Sequence, residues 1–154
     1  GRERQVGLLE ALRSHGLEAG ALPVETEHEA GAAESGILRL LDGAAPPTAV
    51  LAGGPALLTG LLRALDLRGL RAGRDVALVG WDVEPLAELA RPPLAVVDRD
   101  PRGLGAAAAT LALKRLGHGG VRFDEPARVE ICAARFILRP SLGAAIVPDI
   151  RSED

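Results

Sequence analysis

The stretch Pro47–Arg102, PTAVLAGGPALLTGLLRALDLRGLRAGRDVALVGWDVEPLAELARPPLAVVDRDPR, decides the fold. Thr48–Ala52 (TAVLA) is a short unbroken apolar run, the pattern of a parallel strand with helices over both faces. Gly53-Gly54-Pro55 breaks that run and opens a helix, since proline fits a first helical position where its missing N–H costs nothing. Leu57, Leu58, Leu61, Leu62 and Leu65 follow helical spacing until a stop near Gly69. Asp75–Gly80 (DVALVG) reads as a second buried strand. Trp81–Pro93 reads as a loop with one helical turn at Pro85–Leu89, and Leu94–Val97 as a third strand.

The same reading extends outward in both directions. Upstream, Leu8, Leu9 and Leu12 space a helix between Arg2 and His15, with Gly16 as its stop. Ala21–Thr26 is a short strand candidate. A helix over Glu29–Leu41 turns Ile37, Leu38, Leu40 and Leu41 inward, and Gly43 and Pro46-Pro47 end it. Downstream, Arg102–Leu116 is a helix terminated by Gly117, Arg128–Ala133 and Arg135–Leu138 are strand candidates, and the tail after Ser141 shows little periodicity. This β/α alternation predicts an α/β fold, a parallel doubly wound sheet flanked by helices.

Composition narrows the class. A chain of 154 residues suits one domain, or one subdomain plus an extra piece. Trp81, Phe123 and Phe136 are its only aromatics, so the core must be built from Leu, Val and Ala. The single cysteine, Cys132, excludes an internal disulfide and a cysteine zinc site; it reads as a small core residue and fits a reducing cytoplasm. No apolar run reaches membrane-spanning length, and no signal peptide is visible. Lys114 is the only lysine, and the arginines alternate with acids, so no basic stripe offers itself to nucleic acid.

His15, His28 and His118 lack ligand spacing, so no metal is assigned, and no cofactor either. Ser14, Ser35 and Ser141 sit in no nucleophile context, and Asp98/Asp100 and Glu25/Glu27 have no partner pattern for acid–base work; an enzyme is therefore not expected. With no Met in the chain, Gly1 is not a native start with its initiator retained. An upstream part is expected, the alternative being a tag scar on a short protein.

Six features in order, Thr48–Ala52, Gly69-Leu70, Asp75-Val76, Gly80-Trp81-Asp82, Pro92-Pro93-Leu94 and Asp100-Pro101, resemble the sensor domain of the lactose-repressor/galactose-repressor (LacI/GalR) family. Arg135–Ser141 is similar to that family's closing strand, and Arg4 and Gly7 to its Arg-x-x-Gly helix; the likeness covers about residues 2–142. It implies a truncated periplasmic-binding-protein-like fold of type I, with ligand between two α/β subdomains. Residues 1–98 would then form the C-terminal sensor subdomain. Residues 99–133 would supply a crossover helix and strand to the other subdomain, and 134–154 the return strand and tail. The implied protein is a cytoplasmic transcriptional regulator that binds a sugar or related metabolite and works as a homodimer. It would meet operator DNA only through a helix-turn-helix absent from this chain, and would have no membrane role. The alternative is a periplasmic-type sugar-binding protein of the same fold, which would need an export signal.

The resemblance also nominates residues, each with a structural alternative. Asp82 matches a carboxylate that accepts sugar hydroxyls, or it caps the turn at Pro85. Arg4 matches a ligand-contacting arginine, or it is a solvated helix residue. Gly53-Gly54 replaces the family's usual Asn-Asp; it offers a backbone nest for an anion, or merely permits the turn. Trp81 stacks on a sugar or plugs the core, and Arg99 reaches ligand or pairs with Asp98 or Asp100. Leu57, Leu58, Leu61, Leu86 and Leu89 are the dimer candidates, or they fill this chain's own core. Helix Arg102–Leu116 and strand Arg128–Ala133 are expected to cover their apolar faces on a neighbouring chain. The deciding expectation is that three parallel strands deliver Gly53, Asp82 and Arg99 to one cleft mouth.

Overall fold

A computed structural model describes residues 2–17, 29–83, 86–116 and 129–143. The strand candidate Ala21–Thr26, the stop at Gly117, His28, His118, Pro85 and the tail from residue 144 lie outside the described residues. The elements run α1 (Arg2–Ser14), α2 (Ala30–Leu41), β1 (Ala49–Leu51), α3 (Pro55–Leu67), β2 (Ala77–Trp81), α4 (Leu86–Leu89), β3 (Ala95–Asp98), α5 (Pro101–Arg115) and β4 (Arg135–Ile137), closed by a 3-10 turn at Pro140–Leu142.

The sheet has the order β1-β2-β3-β4. β1, β2 and β3 are parallel, with Val50 opposite Leu78 and Trp81 opposite Val97. β4 runs antiparallel to β3, so the sheet is mixed where an all-parallel one was expected. β4 lies at the end of the strand order, with Val97 opposite Phe136 and Asp98 opposite Arg135.

Side chains alternate across the sheet with period two. Leu78, Gly80 and Val96 are buried beneath α3, whereas Val79, Trp81 and Val97 on the opposite face are half-buried. The core is one cluster of Leu58, Leu61, Leu65, Val76, Leu78, Val83, Ala87, Leu94 and Val96, with Ala52. As composition required, it contains no aromatic ring. Ile37 and Leu41 of α2 pack against it. Helix α2 starts on Glu29, whose carboxylate accepts from the Gly31 and Ala32 amides, both at 3.1 Å. It lies against α3 at its own Ala33, and Gly60 makes that approach possible: a β-carbon there would stand 2.6 Å from the Ala33 methyl. Asp42 and Arg68 join the two helix ends by a two-pronged ion pair at 2.7 and 2.5 Å.

Ser141 ties the sheet from within. Its hydroxyl donates to the Leu78 carbonyl (2.7 Å) and accepts from the Ala95 amide (2.8 Å), bridging β2 and β3 with the side chain fully buried. Arg139 donates to the Leu94 carbonyl at 3.0 Å and pairs with Glu88 at 3.1 Å. The closing Arg-Pro-Ser thus clamps the start of β3.

Several expectations require correction. Residues 129–133 form no strand; Val129 and Ile131 are 87% and 91% exposed, because no strand among the described residues pairs with them. Cys132, read as a core residue, is exposed for the same reason. Leu58 and Leu61 fill this chain's own core, so they leave the list of dimer candidates. Trp81 belongs to β2 rather than to the following loop, since its pairing with Val97 extends the ladder. Helix α5 buries no residue, and neither does α1.

Candidate functional site

Strands β1, β2 and β3 all point the same way, so their carboxyl ends open on one edge of the sheet. Ligands of open α/β sheets bind at such an edge. Gly53 follows β1, Asp82 follows β2, and Arg99 follows β3.

Asp82 and Arg99 meet directly. The Arg99 Nε donates to both carboxylate oxygens, at 3.0 and 2.8 Å, and a terminal guanidinium nitrogen of Arg99 also donates to Asp82 Oδ2. Backbone register explains the contact. The Asp82 amide donates to the Val97 carbonyl at 3.0 Å, which sets Asp82 beside the end of β3. Asp82 then turns with a φ of 54°, a left-handed conformation that aspartate tolerates better than most residues. Hydrogen bonding to the Asp82 carboxylate holds the Arg99 pKa above its ordinary value, so Arg99 stays charged. The expected partners of Arg99 were Asp98 and Asp100; the structure gives it Asp82 instead. Asp98 is occupied by Arg135 of β4 at 2.7 Å and by the Asp100 amide at 3.2 Å. Asp100 caps α5 by accepting from the Gly103 amide at 3.1 Å.

The other side of the mouth is built by α1. A terminal nitrogen of Arg4 donates to the Gly53 carbonyl, and the guanidinium lies over the Trp81 ring, 4.7 Å from its centroid. All five nominated residues therefore gather at one edge, from α1 and the ends of three strands. Arg4 links Gly53 to Trp81, and Arg99 closes on Asp82. Trp81 Nε1 is buried with no hydrogen-bond partner among the described residues. Among those residues there is also no cluster of His, Cys, Asp and Glu that could hold a metal. Sequence reasoning did not foresee Arg135 as the partner of Asp98, or the bridging role of Ser141. Only the spacing of Arg139 and Ser141 hinted at the latter.

Such an edge, with charged and aromatic side chains over parallel strand ends, defines a ligand-binding α/β domain. The family model described as "Periplasmic binding protein-like domain" matches residues 1–142. The HTH-type transcriptional regulator AglR of Rhizobium meliloti is 34% identical over 148 residues, covering 92% of this chain and 40% of that protein. The HTH-type transcriptional repressor PurR of Escherichia coli is 33% identical over 105 residues, covering 68% of this chain and 30% of that protein. Among solved structures, a LacI transcriptional regulator from a Rhodococcus species superposes with a TM-score of 0.81 at 28% identity, covering 93% of this chain and 51% of that one. A LacI-family regulator from Arthrobacter sp. FB24, solved in complex with lactose, gives 0.65 at 30% identity, covering 76% of this chain and 42% of that one. The chain belongs to the periplasmic binding protein-like domain family, and within it corresponds to the C-terminal effector-binding region of LacI-family regulators. It spans between about a third and a half of the length of the relatives it matches.

Proposed function

We propose that this chain is the effector-sensing part of a LacI-type transcriptional regulator, and that a sugar or related small metabolite binds at the mouth formed by Arg4, Gly53, Trp81, Asp82 and Arg99. One observation carries the reading: residues 17 to 77 positions apart in sequence meet at the carboxyl ends of three parallel strands. Asp82 has the chemistry of a hydroxyl acceptor and Trp81 that of a stacking face. The lactose complex of the Arthrobacter relative supports a saccharide-like ligand.

Ligand binding must favour one arrangement of the whole protein over another to change DNA affinity. The AglR and PurR relatives, named as helix-turn-helix regulators, support operator binding through a domain outside these residues. Helix α5, with no buried residue, is the segment this reading assigns to the other subdomain. A homodimer in the cytoplasm completes the proposal. Leu89, 71% exposed, and the half-buried Leu57 are the nominated leucines available for such a contact; the Leu86 side chain lies outside the described residues. The test is calorimetric screening of sugars against the full-length protein, with Asp82→Ala as control. Binding that saturates in the wild type and weakens at least tenfold in the variant is expected; equal binding by both removes Asp82 from the site.

A further inference from the structure

Resting on that reading of the mouth, we propose that its ligand bears an oxyanion group, a carboxylate or a phosphate, and that Arg4 is the residue that meets it. The site's donors and acceptors are unbalanced. Among the described residues Asp82 is the only carboxylate joined to the mouth, and Arg99 already engages both of its oxygens through two N–H groups. A carboxylate offers about four lone-pair positions, so about two remain for ligand hydroxyls. Asp98 is spent on Arg135 and the Asp100 amide, and Asp100 on the first turn of α5. The Gly53 carbonyl is taken by Arg4, and Gly53 and Gly54 bring no side-chain acceptor.

Donors, by contrast, are in surplus. Arg4 makes one hydrogen bond, to Gly53, and otherwise lies on the Trp81 ring, which leaves its remaining N–H groups without an acceptor among the described residues. Trp81 Nε1 is an unsatisfied donor in the same cluster, and no side chain caps α3 behind Gly54. Among the described residues of the mouth, Arg4 and Arg99 carry two positive charges against the one negative charge of Asp82. A neutral polyol matches such a mouth poorly. A ligand with an anionic oxygen group supplies the missing acceptors and the missing charge together, and a planar guanidinium pinned on a ring presents its fork in one orientation.

The experiment uses the full-length protein and matched probes. Glucose, glucuronate and glucose 6-phosphate, and the corresponding galactose set, are titrated by calorimetry at low and high salt. The expected result is that the carboxylate or phosphate member of a set binds at least tenfold tighter than its neutral parent. That preference should shrink with added salt, as a charge contact must, and vanish in Arg4→Gln while any neutral binding persists. Which charged arm binds identifies the oxyanion as carboxylate or phosphate. Neutral parents that bind as tightly as their charged partners overturn this proposal but leave the mouth as a sugar site. Charged ligands that bind equally to wild type, Arg4→Gln and Asp82→Ala overturn both. Silence from all six probes counts against the oxyanion, and the Asp82→Ala screen with other sugars then decides the mouth separately.

Discussion

Helices α3 and α5 begin alike and end in opposite circumstances. Each follows the carboxyl end of a parallel strand, each has proline in its first turn, and they are 13 and 15 residues long. Yet α3 buries Leu58, Gly60, Leu61, Ala64 and Leu65, while α5 buries nothing. In α3 the buried leucines recur three, four and seven residues apart and form one stripe. In α5, Leu104 and Leu111 share a face, but Leu113 and the run Ala106–Ala109 spread around the cylinder. Local signals are enough to make a helix; a stripe is needed to dock it on this sheet.

The sharpest way to break this contrast is a matched pair of truncations. Leu61→Ala, at a site 1% exposed, is expected to cost about 3 kcal/mol, whereas Leu113→Ala on α5 should stay within about 0.5 kcal/mol. Urea unfolding measures both, and equal losses would show that α5 is packed as tightly as α3. Next in size is Ser141→Ala, which strands the Leu78 carbonyl and the Ala95 amide; a loss of about 2 kcal/mol is expected by the same measurement. A variant as stable as the parent would mean that the bridge is dispensable. Gly60→Ala follows. The methyl must push α2 from α3, but alanine favours helix by about 1 kcal/mol, so a net loss near 1 kcal/mol is expected. A gain in melting temperature would show that the helices can separate freely.

Acidification sharpens the comparison more gently. Bonds from Arg135, Arg68 and Arg74 hold the carboxyls of Asp98, Asp42 and Asp75, respectively, below the ordinary range. Each is therefore more acidic in the folded chain than in the unfolded one. Their stabilisation is complete above the usual carboxylate pKa of about 4 and is lost as pH falls through the lower folded values. Denaturant midpoints should drop between pH 6 and pH 3, with a smaller drop in Asp98→Asn; a flat profile would contradict the pairings. The smallest perturbation is exchange into heavy water, where amides of α5 should exchange well before those of α3. Equal protection would erase the distinction between the two helices.

The strands were legible because unbroken apolar runs bounded by Gly and Pro leave few alternatives. Residues 128–133 misled for the same reason: RVEICA alternates as a strand should, but pairing needs a neighbour, and alternation says nothing about one. Gly53, Trp81, Asp82 and Arg99 were legible as positions at strand ends, and Arg4 as a residue of the first helix. The Arg99–Asp82 pair was not, because it depends on Val97 lying next to Asp82 across the register. The fate of Leu58 and Leu61 was undecided for a related reason: leucines on a helix look the same whether they face a sheet or a second copy.

Ser141 also sets a timetable. The ribosome delivers this hydroxyl 63 residues after the Leu78 carbonyl that it will meet. At roughly 5–20 residues per second, the Leu78 carbonyl waits on the order of 3 to 13 seconds in the nascent chain for its internal bolt. The parallel pair at the heart of the sheet is thus unfinished until the last described segment has been made, and any pause in translation between the two prolongs its exposure.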